Sequence, residues 1–150
     1  MIIGIDPGAQ GAIAWLDDDG TLRAVEDMPT LNGRVSGHLV GSLFLQHGSL
    51  ITPTCVVEDV HAMPGQGVST TFRFGRNLGT VEGAMAALGA QMVYVSPAKW
   101  KRAIGLSKDK TASRLAAIER FPEHADLFKR VKDDGRAEAA LIAEWWRARK

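Results

Sequence analysis

The stretch Met1-Ile2-Ile3-Gly4-Ile5-Asp6-Pro7-Gly8 decides the fold. An aliphatic run stops on a carboxylate and turns at once. Branched apolar residues make 1–5 a buried strand, and Pro7-Gly8 breaks it. Asp6 therefore ends a core strand. An ionised group there is costly unless it is paired, hydrogen-bonded or bound to a cation. The competing use is a turn Asp that bonds its own backbone. The strand alone leaves both readings open.

Outward from that strand, Gly11–Leu16 reads as a second strand and Asp17-Asp18-Asp19-Gly20 as a hairpin turn. Thr21–Met28 is an imperfect edge strand, which completes an antiparallel meander. The acidic turn lacks the rest of a calcium-loop pattern and reads as solvated. Residues 34–47 form a modest helix with Val35, Leu39, Leu43 and Phe44 along one side. Thr54-Cys55-Val56-Val57 is a fourth strand, ending on Glu58-Asp59. A Gly/Pro-rich loop follows, and Ser69 can cap a long helix to about Leu88. On that helix Phe72, Phe74 and Leu78 read as core, with a dimer interface as the alternative. Gln91–Val95 is the fifth strand. Ser96-Pro97 opens a helix that carries Trp100 against the sheet and stops at Gly105. Ser107 or Asp109 opens another to Phe121, where Pro122 ends it. Residues 134–148 form the last helix, with Trp145 facing inward and Trp146 toward a subunit contact. This order predicts an α/β fold in a single domain over 1–150. Its mixed sheet is covered by helices, with strands one and four parallel through a helical crossover.

The chain has 150 residues, 45% of them hydrophobic and 23% charged, ordinary globular usage. No apolar run approaches the roughly 20 residues of a membrane helix, and no signal-peptide pattern opens the chain. The one cysteine, Cys55, lies in an apolar run and reads as a buried free thiol, which fits a reducing cytoplasm. No Cys/His spacing suggests zinc. The net charge of +1 hides an asymmetry: residues 97–132 carry ten Lys/Arg against four acids, the remainder eight against thirteen. A basic block beside an acidic remainder suggests a polyanion met on one face. A pair of solvated helices laced by salt bridges is the bland alternative.

Glu58 repeats the oddity of Asp6, a carboxylate ending an apolar strand. If strands one and four are parallel neighbours, both acids lie at the edge where open α/β sheets bind ligands. Two like charges there need a cation. On the last helix, at about 100° per residue, Asp134 and Glu138 share the inward stripe that Leu141 and Trp145 continue. Asp133 lies about 100° away and is the alternative to Asp134. Four carboxylates without Cys or His favour Mg²⁺ or Mn²⁺. Two such ions roughly 4 Å apart can drive phosphodiester hydrolysis.

These residues carry a family resemblance. The chain resembles the RuvC-type Holliday junction resolvases of the RNase H-like superfamily, particularly phage-encoded members. Ile3-Gly4-Ile5-Asp6-Pro7-Gly8 is similar to the family's first strand. Val57-Glu58-Asp59-Val60-His61 with Gly75-Arg76-Asn77-Leu78-Gly79 is similar to its second block, and 134–143 to its acidic helix. The resemblance implies an RNase H-like sheet of order 3-2-1-4-5 flanked by helices. It implies that Asp6, Glu58, Asp134 and Glu138 are catalytic and bind two Mg²⁺, with Mn²⁺ able to substitute. The implied activity is symmetric nicking of four-way and branched DNA in recombination by a homodimer, in the cytoplasm of a bacterial or phage-infected cell. Lys101 and Lys110 fall near basic positions used around the scissile phosphate. Lys108, His61 and Arg76 are further DNA-contact candidates. The family's junction-wedging aromatic falls near His61, where this chain departs; Phe72 or Phe74 can substitute. The spacing of four between Asp134 and Glu138 also departs from the three common among relatives. Two alternatives stay open: an RNase H-like nuclease acting on flap DNA or RNA, and a non-catalytic module binding branched nucleic acid. An actin-like ATPase reading of Asp6-Pro7-Gly8 fails on length and on the missing second phosphate motif.

Overall fold

The computed structural model describes residues 1–48, 52–59, 61, 65–107 and 109–149. Five strands form one sheet: β1 Ile2–Asp6, β2 Ala12–Leu16, β3 Leu22–Asp27, β4 Thr54–Glu58 and β5 Gln91–Val95. Numbered this way, their order is 3-2-1-4-5. β1 runs antiparallel to β2 and parallel to β4, and β4 is parallel to β5. The expected mixed sheet is therefore present. Five helices cover it: α1 Gly37–His47, α2 Val68–Ala87, α3 Pro97–Ala103, α4 Lys110–Arg120 and α5 Asp134–Arg147. Two short 3₁₀ segments, Pro122–Phe128 and Val131–Asp133, join the last two.

The period of two along the strands divides the core. Ile3, Ile5, Ile13, Trp15, Cys55 and Val57 pack on one side, with Val40 and Phe44 of α1 and Val81 and Met85 of α2. Ile2, Ala12, Ala14, Leu16 and Val56 pack on the other, with α5, Ala117 of α4 and Trp100 of α3. Asp6 shares the parity of Ile2 and Gly4, and Glu58 that of Val56. Both acids therefore belong to the α5 face.

α5 reaches that face because its inner residues are small. Ala137, Ala139, Ala140 and Ala143 are fully buried. Gly4 lies beneath them, so close that a Cβ there would stand 2.0 Å from the Ala139 carbonyl oxygen and 2.7 Å from the Ala143 nitrogen. Both neighbours are backbone and have no room to give.

Several local expectations need correction. The 34–47 helix begins at Gly37, capped by Ser36, whose hydroxyl accepts from the Leu39 amide at 3.4 Å. Arg34–Val35 instead pairs with Thr30–Leu31. Asn32 and Gly33, at φ 52° and 72°, make the tight turn between them. Val40 and Phe44 are the buried residues of α1, whereas Leu39 is exposed. Ser69 is not the cap of α2: Gly67 holds that position, with no side-chain bond. Phe72 is not core but 69% exposed, because only the later turns of α2, from Asn77 through Val81 to Met85, are buried. Phe74 is half-buried, and Leu78 packs at the core margin as expected. Asp109 caps α4 by accepting from the Thr111 amide at 2.9 Å. Cys55 is a buried free thiol, and Trp100 and Trp145 are buried as expected. Trp146 is half-buried, and the Arg149 guanidinium lies over both tryptophan rings.

Gly4→Ala should cost about 3 kcal/mol or more by overpacking, a fall in melting temperature of roughly 10 °C. Gly41→Ala in α1, where nothing lies within 4 Å of the added methyl, should be neutral or stabilise by up to about 1 kcal/mol. Thermal unfolding followed by circular dichroism separates the two. A Gly4→Ala protein melting with the wild type would contradict the packing.

Candidate active site

The strand ends build one wall of the site. Asp6 ends β1, and its Oδ1 accepts the Gly8 amide at 3.1 Å, so the turn use of this Asp is real. That bond aims the carboxylate as well as closing the turn. The β1–β4 register pairs Ile5 with Val57; continued by one residue, it brings Asp6 level with Glu58. Glu58 is 7% exposed, and its Oε1 accepts the indole Nε1–H of fully buried Trp100 at 2.9 Å.

The start of α5 builds the facing wall. Gly135 sits against the loop after β1, where a Cβ would stand 2.5 Å from the Gln10 carbonyl oxygen. That contact places Asp134 and Glu138 over Asp6. Asp6, Gly8, Gln10, Gly11, Lys101, Asp134, Gly135 and Glu138 line a single cleft of about 380 Å³. Lys101 donates to Glu138 Oε1 at 2.6 Å, and buried Ser113 donates to the same oxygen at 3.2 Å. Arg114 Nε stands 2.8 Å from Asp134 Oδ1.

The electrostatics report the crowding. Although part of Asp6 reaches the cleft, the surrounding protein desolvates it. Burial, with a further push from Glu138, raises its carboxyl to about 6 against the pull of the Gly8 bond and Lys101. Burial pushes Glu58 to about 7, with Asp6 and Glu138 adding repulsion and the Trp100 bond opposing it. Asp6, Asp134 and Glu138 line one cleft, and the β1–β4 register sets Glu58 beside Asp6 at its wall.

Asp133 resolves differently. It is 1% exposed, and its carboxylate is taken up by the Arg130 amide at 2.8 Å and by the Arg130 guanidinium. It closes the turn before α5, and Asp134 is the acid that lines the cleft. Of the basic candidates among the described residues, only Lys101 reaches the cleft. His61 is exposed and pairs with Asp59 at 3.3 Å. Arg76 lies on α2, in the opposite helix layer, and does not line the cleft. Lys108 and the Lys110 side chain lie outside the described residues. Trp100, Ser113 and Arg114 were missed as site residues. The detectable signal was the helical spacing of Ser113 and Ala117 on α4, continued by Phe121 at its C-cap.

The donor set is all carboxylate oxygen, which fits a hard divalent cation. Among the described residues no three acids are arranged at metal-binding distances; Lys101 and Arg114 engage the two α5 acids instead. Cation binding therefore requires these side chains to shift.

The raised carboxyls set the sign of the pH response. Between about pH 4 and 7 the native state holds protons that the unfolded chain has released, so stability falls as pH rises, by a few kcal/mol at most. In chelator, the melting temperature should drop across that window. Glu58→Gln should flatten the drop and melt higher than wild type at pH 8. A melting temperature that climbs from pH 4 to 7 would refute the crowding.

No family model matches the chain. It is 31% identical over 91 residues, 59% of its length, to the chloroplastic Holliday junction resolvase MOC1 of Chlamydomonas reinhardtii. The match spans 10% of that relative's length. Among solved structures it is similar to T. thermophilus RuvC in complex with a Holliday junction substrate, with a TM-score of 0.68 at 17% identity over 99% of this chain and 94% of that one. A second Thermus thermophilus RuvC structure gives 0.65 at 16% identity, over 99% and 95% of the two chains. At these identities the likeness is one of fold: the chain has the RNase H-like fold of RuvC from end to end.

Proposed function

We propose that the protein is a divalent-metal-dependent endonuclease that nicks four-way DNA junctions symmetrically as a homodimer. The observation that carries the reading is the gathering of Asp6, Glu58, Asp134 and Glu138 on the α5 face of the sheet, with Lys101 at the same cleft. The junction-resolving relatives named above point to the same substrate. Asp6, Glu58, Asp134 and Glu138 would hold two Mg²⁺, or Mn²⁺ in their place. Bound there, the cations supply activation of the attacking water and stabilisation of the leaving oxygen. The chain's own residues do the rest. Trp100 fixes Glu58 by its indole bond, the Gly8 amide aims Asp6, and Lys101 offers a positive charge to the phosphate as charge builds on it. Phe72, exposed at the start of α2, is suited to press on unstacked bases in place of the family's wedge aromatic. No helix among the described residues is long and apolar enough to cross a membrane, which suits action on DNA in the bacterial or phage-infected cytoplasm.

The junction assay decides the reading. A mobile four-way junction, a flap and a linear duplex are incubated with and without Mg²⁺ and the cuts are mapped. Paired symmetric nicks on the junction are expected. Asp6→Asn should lower cleavage by roughly 10³-fold or more, the scale of several kcal/mol of lost charge stabilisation. Junction affinity should be retained, since binding draws on Lys/Arg contacts. Wild-type cutting by Asp6→Asn would sink the mechanism, and cutting confined to the flap would shift the substrate.

The dimer has its own support. Gly75, Gly79 and Gly83 are exposed on one face of α2 with open space where Cβ atoms would lie, and exposed Val68 extends that face. A face of glycines with an exposed apolar edge lets two helices approach closely. Gly79→Glu should yield monomers by light scattering on a sizing column and uncouple the paired nicks. A Gly79→Glu dimer would place the interface elsewhere.

A further inference from the structure

We propose that Arg114 is the internal counter-ion of the acid cleft, neutralising Asp134 in the metal-free protein and competing with divalent cations for that carboxylate. The inference rests on the metal-dependent reading above.

Arg114 and Asp134 touch without gripping. Arg114 Nε lies 2.8 Å from Asp134 Oδ1, yet neither atom has a hydrogen-bond partner, and both are shielded from solvent. The angle between them is not that of a hydrogen bond. The guanidinium is aligned elsewhere: its Nη1 donates to the Lys129 carbonyl at 3.1 Å. An aligned guanidinium fork ties a carboxylate down in two directions. A close misaligned contact keeps the Coulomb attraction and loses the direction. Asp134 is thus compensated in charge without a directional bond from Arg114.

The neighbouring residue does the opposite job. Ser113, on the preceding position of α4, donates an aligned hydrogen bond to Glu138 at 3.2 Å and brings no charge. Consecutive residues of one helix therefore attend the two cleft acids of α5, one by orientation and one by charge. Arginine suits the second role because it does not lose its proton in proteins. Its side chain is 14% exposed and that of Asp134 37%, so water screens the contact only in part. Lys101 differs, being aligned on Glu138 at 2.6 Å and 32% exposed.

A buried charge that stabilises the empty cleft must weaken any cation that needs the same carboxylate. A unit charge a few ångströms from a divalent ion is worth roughly tenfold in affinity even with water-like screening. Titration of Mn²⁺ alone, without DNA, by calorimetry and by electron paramagnetic resonance reads this directly. Arg114→Gln should bind Mn²⁺ roughly tenfold more tightly than wild type. Arg114→Lys, which keeps the charge but not the fork, should stay close to wild type. A merely structural role predicts that Lys shifts Mn²⁺ binding as far as Gln does. Unchanged or weaker Mn²⁺ binding by Arg114→Gln overturns the competition.

A metal-free double-mutant cycle stands apart from the metal reading. In chelator, Arg114→Gln should lower the melting temperature, and adding Asp134→Asn should restore much of the loss. Additive losses overturn the counter-ion role. If wild type binds no Mn²⁺, the metal-dependent function and the competition both fall, and this cycle alone decides the counter-ion.

Discussion

The close seating of α5 on β1 is the constraint on which the rest depends. It is a backbone-to-backbone contact, made possible by the side chain Gly4 lacks and by the alanines above it. One methyl of extra spacing would lift the helix and withdraw its first turn from the loop after β1. Gly135, pressed on the Gln10 carbonyl, belongs to the same constraint. The acids of α5 reach those of the strands only because the helix is held this close. Strand parity then does the sorting. Asp6 and Glu58 fall on the α5 side, while the residues just before them, Ile5 and Val57, anchor the opposite layer.

The proximity is costly, and α3 and α4 offset the cost. Trp100 and Ser113 spend neutral hydrogen bonds on Glu58 and Glu138, and Lys101 and Arg114 spend charge on the α5 acids. This changes the meaning of the basic block. Of its ten cations, Lys101, Arg114, Arg120, Lys129 and Arg130 are each paired with an acid of the chain. Arg120 joins Arg147 on Glu144, binding α4 to the far end of α5. Half of what looked like a phosphate track holds the fold and the cleft together. Lys99, Arg102 and Lys132 remain as described cations of the block without an ion pair.

What the sequence made legible were features with a local signature. An aliphatic run ending on a carboxylate identified Asp6 and Glu58, and helical spacing identified Asp134 and Glu138. Asp133 and Asp134 could not be separated there, because the turn before α5 sets their directions and Arg130 claims the first. Trp100, Ser113 and Arg114 were hidden for a different reason. Each is an ordinary helix residue until α3 and α4 dock beside α5, and that docking is a long-range event. Phe72 misled because helical spacing shows which residues share a face, not how far along the helix the sheet continues beneath it. The short ladder before α1 was missed although Asn32-Gly33 signals its turn; two-residue strands are too brief for a period to show.

The two helix layers also separate two demands that would otherwise conflict. α5 and its partners hold the acid cleft on one face of the sheet, while α2 lies in the layer on the other. The exposed glycine face and Phe72 sit on α2. α2 contributes no residue to the cleft lining, so a second copy on α2 would leave that lining to the α5 layer. Asp59, the residue after Glu58, still donates its amide to the Val95 carbonyl at 2.8 Å, fixing the exit of β4 against β5. Glu58 therefore sits at the held end of a strand, fixed on one side by its neighbour's bond to β5 and on the other by the indole of Trp100.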